Sequence, residues 1–248
     1  MTEQTESEIG WDETVDVLCI GIGPGVLAYG IFCAASDLEV LIIECADLDP
    51  QTGDWRSDMT EDLDVGQSDA SLSLIRAEPV PVQPINDRTK LEPFVGEHLR
   101  QWSAGCLASP FGVMFTEVPD LDVMRTPEGQ SITAGIVGGY RGADGPPGPT
   151  LVRWLRENAE GLFAPADDRL DGLVVEDGRI AGVILDTADG PRRIGVTRGL
   201  ALSLGVEPEC WPDQPELAGL EVDVAVVGRK AGRFARVELL AGMSNSSG

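Results

Sequence analysis

Histidine is all but absent from this chain of 248 residues: His98 is the only one. That excludes multi-histidine metal centres, and it leaves no redundancy for a Ser-His-Asp relay. His98 itself, in EHLRQW, reads as a surface or half-buried helix residue. Tyrosine is nearly as scarce, so Tyr29 and Tyr140 are the only phenols available for acid–base work. The five cysteines (Cys19, Cys33, Cys45, Cys106, Cys210) show no C-x-x-C and no metal-ligand spacing. Their scatter argues against a disulfide framework or a metal site and for a reducing, cytoplasmic setting. No run approaches the roughly 18 apolar residues of a membrane span. The opening MTEQTESEIGWDE is acidic and lacks the apolar core of a secretory signal. Basic residues are few, 18 against 42 acidic, for a formal net charge of −24. Such a field repels nucleic acid and anionic membrane surfaces, and neither is expected as a partner.

What is present is concentrated near the N-terminus. Residues 15–44 read VDVLCIGIGPGVLAYGIFCAASDLEVLIIE. An apolar run ends in Gly21-Ile22-Gly23-Pro24-Gly25, a small-residue helix follows, and a second apolar run stops on Glu44. Strand, tight turn, helix, strand and acidic residue is the order of a nucleotide-binding βαβ unit. Gly21 suits the sharp turn out of the first strand, and Gly23 suits a close backbone approach to a pyrophosphate. The helix start offers free N–H groups and a positive dipole end to phosphate. Glu44 stands where the acidic partner of a ribose hydroxyl is expected, about 20 residues on. The third glycine of G-x-G-x-x-G is replaced by Val26. A register one step later, Gly23-x-Gly25-x-x-Ala28, restores a small third residue but shortens the strand-to-turn geometry.

Further along, the pattern divides the chain into an acidic arm at 1–13, one α/β domain at 14–240 and a disordered tail at 241–248. Within the domain, 14–46 is the βαβ unit and 47–149 an irregular insert with a helix at 91–108, opened by Pro93. Inside that insert, PVPVQP at 79–84 reads as an extended edge and 135–149 (GIVGGYRGADGPPGP) as a glycine–proline loop. Thr150 reads as the N-cap of a helix at 151–161 closed by Gly161. Residues 172–205 alternate apolar runs with Asp177-Gly178 and Asp189-Gly190, the signature of an antiparallel meander. The segment 206–240 supplies one more apolar strand, Val222–Val227, then a basic cluster Arg229, Lys230, Arg233 and Arg236.

These pieces, in this order, resemble the FAD-binding domain of the fumarate reductase / succinate dehydrogenase flavoprotein family. The 3-ketosteroid-Δ1-dehydrogenase branch looks closest. The carriers are WDETVDVLCIGIGPGVLAYG…LEVLIIE, the helix and meander GPTLVRWLRENAEG…LDGLVVEDGRIAGVILDTADGPRRIGVTRGLALSLG, and, more weakly, LEPFVGEHLRQWSAGCLASPFGVMFTEVPDLD. The resemblance implies a Rossmann-like FAD/NAD(P)-binding sheet with an antiparallel β-meander and no full capping domain. It implies FAD as cofactor, with Gly21, Gly23, Pro24, Gly25 and Val26 lining the pyrophosphate, Glu44 on the adenosine ribose and Val175 near the adenine. The departures are specific. Glu44 is followed by the acidic CADLDPQTGDWRSD, without the family's paired glycines. The family's A-T-G-G becomes Leu202-Ser203-Leu204-Gly205, and the C-terminal G-D motif is unrecognisable.

For catalysis the residues offer one pair, Tyr140 beside Arg141, a donor next to a fixed cation that can polarise a carbonyl. Two readings follow. In one, the chain is a flavoprotein-family protein with weak or no autonomous oxidoreductase activity, completed by a partner subunit or by a second copy of itself. In the other it is a pseudoenzyme, an accessory or scaffolding subunit without bound cofactor.

Overall fold

A computed structural model describes residues 10–21, 23–44, 69–80, 96–117, 119–142, 146–164, 168–203, 211, 216–230 and 232–241. The first element, β1 (Glu13–Ile20), runs into α1 (Pro24–Ala35) and then β2 (Val40–Ile43). β1 and β2 pair in parallel from Val17↔Val40 to Ile20↔Ile43, which is the expected βαβ unit. On its other side β1 pairs in parallel with β10 (Gly190–Ser203). Alternation along β1 sorts its side chains to two faces: Val17 and Cys19 enter one core cluster, Leu18 and Ile20 another. α1 is apolar all round and buried from Pro24 to Gly30, as a helix covered on both sides must be.

The meander forms as the turn residues dictate. β8 (Arg169–Glu176) and β9 (Arg179–Thr187) join through Asp177 and Gly178, both at positive φ (49° and 74°). That is the pair of left-handed residues a two-residue hairpin turn needs. β9 continues antiparallel into the first half of β10, while the second half of β10 leaves the meander to flank β1. Trp11 locks this junction. Gly182 and Gly195 are register partners, and a Cβ on either would meet the Trp11 indole (2.6 Å and 3.0 Å). Asp12 adds a backbone bond to Arg193 O (3.0 Å) and accepts Arg193 N–H at Oδ2 (2.8 Å). The last residues of the expected acidic arm are therefore part of the fold.

Beyond β10 the sheet extends through β5 (Gly112–Phe115), β12 (Phe234–Ala241), β11 (Glu221–Gly228), β7 (Ser131–Arg141), β6 (Asp122–Arg125) and β4 (Glu78–Pro79). β3 (Leu74–Arg76) pairs with β12, completing a mixed sheet of 12 strands among the described residues. α2 (Glu97–Ala108) contributes Leu107 to the cluster around Leu18 and Ile20. α3 (Pro147–Asn158) contributes Leu151 and Leu155 to the opposite cluster, with Leu27 of α1. The fold is α/β. Among the described residues no helix is long and apolar enough to cross a membrane.

Several local expectations change. The expected insert at 47–149 contributes strands β3 to β7 to the main sheet. Residues 135–141 are not loop but the second half of β7, and the glycines there serve packing. A Cβ on Gly135 would lie 2.8 Å from the Phe32 ring of α1, and one on Gly138 would lie 3.4 Å from Trp154 of α3. The third helix starts at Pro147 rather than after Thr150, because N–H groups in a first turn have no intrahelical partner for proline to remove. The C-terminal segment holds two strands, β11 and β12, since Arg236 and Glu238 neutralise each other on one face of β12 (Nε to Oε1, 2.7 Å). Residues 91–95 with Pro93, most of 79–84, Leu204-Gly205 and 242–248 of the tail lie outside the described residues, while Ala241 ends β12.

Candidate functional site

Gly21 makes the turn out of β1 at φ 119°, and its N–H donates to Ile43 O at 3.0 Å. The ends of β1 and β2 are thus held together where a nucleotide fingerprint needs them. Gly23 occupies the N-cap of α1 in extended backbone, Pro24 takes the first helical position, and no side chain caps the helix. Val26 donates its N–H to Gly23 O at 3.1 Å and packs, fully buried, in the main core. The missing third glycine is absorbed on the core side of the helix.

Gly21, Gly23, Pro24 and Gly25 are all buried. Above Gly23 stands Ser203, the last residue of β10: a Cβ at 23 would strike its Oγ and lie 3.3 Å from Pro110 O. Above Gly25 lies the 111–112 backbone, with Phe111 O at 2.7 Å from a Cβ at 25 and Gly112 O closer still. The carbonyl oxygens of Pro110, Phe111 and Gly112 therefore approach the N-terminal end of α1. Of these, Phe111 O already accepts the Val237 N–H at 3.0 Å. Phe111 is fully buried, with its ring 5.6 Å from that of Trp211. The room that a side chain would need at Gly23 and Gly25 is thus taken by Ser203 and the 110–112 backbone.

The other expected site residues are placed as follows. Glu44 lies at the end of β2, half-exposed, with Oε1 3.0 Å from Arg156 Nη1 of α3. Val175 sits on β8, 60% exposed, and β9 separates that strand from β10. Tyr140 and Arg141 do not form a pair. They are successive residues of β7 and face opposite ways: Tyr140 is buried, bonded through Oη to Thr150 Oγ1 (2.7 Å) and edge-on to Trp154. Arg141 reaches outward to Glu221 at 3.9 Å, both side chains exposed.

The described thiols, Cys19, Cys33 and Cys106, are buried. Burial pushes Cys33 up to about 11 and Cys106 up to about 12, and it raises Cys19 as well. None is a thiolate at neutral pH, so none is a nucleophile there. Sequence reasoning missed Pro110, Phe111, Trp211 and Arg156 as parts of this region. The one legible signal was Ser203, read as a departure in A-T-G-G.

No protein-family model matches the chain, and no curated protein matches it. Solved structures similar to it include the 3-ketosteroid-Δ4-(5α)-dehydrogenase from Rhodococcus jostii RHA1, at 20% identity and TM-score 0.37. That match covers 81% of this chain and 47% of the dehydrogenase. A flavocytochrome c3 fumarate reductase in its open conformation is 18% identical at TM-score 0.35, with 75% and 33% of the two chains covered. A geranylgeranyl bacteriochlorophyll reductase-like protein from Thermoplasma acidophilum is 10% identical at TM-score 0.30, with 91% and 56% covered. The chain spans about half the length of the first and a third of the second.

Proposed function

We propose that this chain is a flavoprotein-like pseudoenzyme, an accessory or scaffolding subunit in which the phosphate-binding turn has become a packing joint. The observation that carries the reading is the seating of Ser203 and the 110–112 backbone directly on Gly23 and Gly25. The engagement of Glu44 by Arg156 supports it, since the acidic group expected on a ribose already has a cation. So does the separation of Tyr140 from Arg141, which leaves no acid–base pair on β7. The role that remains is assembly, with a partner polypeptide or a second copy of the chain.

One observation favours the competing reading, in which FAD or another adenine nucleotide still binds. Ser203 Oγ is buried without a hydrogen-bond partner among the described residues, directly above the glycine turn. An orphaned hydroxyl costs about 1–3 kcal/mol, and a phosphate oxygen would satisfy it. An absorbance scan of the purified chain between about 350 and 500 nm reports any retained flavin. Thermal melts with added FAD report weaker binding, because a ligand at 100 times its Kd stabilises by about 2.7 kcal/mol. A flat scan and an unchanged melt are expected. Flavin bands, or an FAD-dependent rise in Tm that Gly23→Val abolishes, would overturn the pseudoenzyme reading.

A further inference from the structure

The basic cluster of the C-terminal segment splits in the fold, and its members end in different surroundings. Arg236 is buried among partners: it pairs with Glu238 and with Asp69 Oδ2 at 3.4 Å, and its Nη2 donates to Ser71 O at 2.5 Å. Arg229 is held otherwise. Its guanidinium lies 4.7 Å over the Trp102 ring, and Nη1 donates to Ser131 O at 3.3 Å. Trp102 is fixed in turn by its indole N–H on Phe234 O (2.9 Å). No carboxylate among the described residues forms an ion pair with Arg229, in a chain that carries 42 of them. The group is half-buried, and that burial lowers its pKa, yet an arginine stays charged at neutral pH. Glu238 acts on Arg229 through its charge without an ion pair, and a partly desolvated cation of fixed orientation still attracts an anion.

Arg229 lines a groove of ≈ 200 Å³ under the β11–β12 turn, beside exposed Lys230. Phe115, Leu121, Val123 and Phe234 contribute apolar surface to it, and Asp120 is the single acid among its described lining residues. We propose that this groove binds a compact carboxylate with an apolar body, the carboxylate on Arg229 and Lys230 and the body against the four apolar residues. The planar fork of arginine matches a carboxylate in two parallel hydrogen bonds. The apolar walls exclude water and strengthen those bonds. Size limits the occupant, since at ≈ 200 Å³ the groove is smaller than drug-sized sites of about 300–1,000 Å³. Charge selects a monoanion: Asp120 and the overall excess of acid both act against a phosphate dianion. The groove is separate from the glycine turn, so the inference stands whether or not a nucleotide binds there.

The test is calorimetric titration of the full chain with 3-phenylpropanoate, and with 3-phenylpropanamide as its uncharged counterpart. The acid is expected to saturate with Kd of about 1 mM or tighter, weakening as salt is added. The amide is expected to bind at least about tenfold more weakly, a difference of 1.4 kcal/mol. Arg229→Gln should remove the preference for the acid. Because that change also removes the stack on Trp102, Asp120→Asn is the second arm: it leaves Arg229 in place and should tighten the acid severalfold while leaving the amide unchanged. Equal binding of acid and amide, no saturation by the acid, or an unchanged acid affinity in Asp120→Asn would each overturn the proposal.

Discussion

Glu44 Oε1 and Arg156 Nη1 lie 3.0 Å apart and tie the end of β2 to the last turn of α3. The carboxylate in the place of a ribose ligand is thereby part of a strand-to-helix tie. Both side chains are near 40% exposed (42% and 43%), so solvent screens the pair and its worth is small. Glu44→Gln is expected to shift the unfolding free energy by no more than about 1 kcal/mol. It should also leave the response to added FAD unchanged. Melts with and without FAD check both, and an FAD-dependent rise in Tm of the parent chain that this variant loses would return Glu44 to the role of a ribose ligand.

The joint at Gly23 makes a compensation prediction. Gly23→Ala should destabilise by about 1–3 kcal/mol through overpacking against Ser203. Adding Ser203→Gly removes both Oγ and Cβ from that contact and should recover most of the loss. A double-mutant cycle by urea unfolding measures the coupling. Gly25→Ala should have no such rescue, because its obstacle is the backbone at Phe111 and Gly112. Additivity of the first two changes would show that the glycine and serine do not share the space described.

On β12, the Arg236 and Glu238 side chains are 9% and 5% exposed. Burial pushes the Glu238 carboxyl above the usual carboxylate range, while the Arg236 guanidinium pulls it back. Glu238→Ala leaves Arg236 buried without its nearest counter-charge, and the expected cost is about 3–5 kcal/mol. The joint replacement Arg236→Met with Glu238→Leu should cost far less, since matched apolar residues avoid the desolvation of two ions. Urea midpoints at constant m-value decide it.

Asp16 sets an acid limb of stability. The Glu39 backbone N–H, at 3.0 Å from Oδ2, and the Thr197 hydroxyl, at 2.8 Å from Oδ1, hold its pKa below the ordinary 3.8. The charged form is the one the fold prefers. Its contribution is therefore complete above the unfolded value near 3.8 and disappears as pH falls through the lower folded value. Asp16→Asn should flatten Tm against pH below about 4 and leave the curve parallel to the parent's at neutral pH. Parallel curves over the whole acid range would remove Asp16 from the account.

Much of the fold was legible because period and turn chemistry agreed. The βαβ unit announced itself by two apolar runs around a glycine turn, and the meander by Asp177-Gly178. β7 was not legible, since Gly135 and Gly138 imitate loop composition while serving to admit Phe32 and Trp154. β12 was hidden by Arg236 and Glu238, whose mutual neutralisation no linear pattern displays. The site was harder. Gly21, Gly23 and Gly25 were found as a turn, but what lies upon them comes from residues 110–112 and 203, joined only by the sheet. The Tyr140–Arg141 pair failed for a simpler reason, because neighbours along a strand point apart.

The seating of β1 between β2 and β10 has a consequence for how the molecule is made. Val17 registers with Gly199, about 180 residues later in the chain, a contact of the kind that slows folding. On the ribosome the opening strand and helix emerge long before their far neighbour is translated. Until then one flank of an apolar strand stays bare, the kind of unpaired edge that invites association between nascent chains.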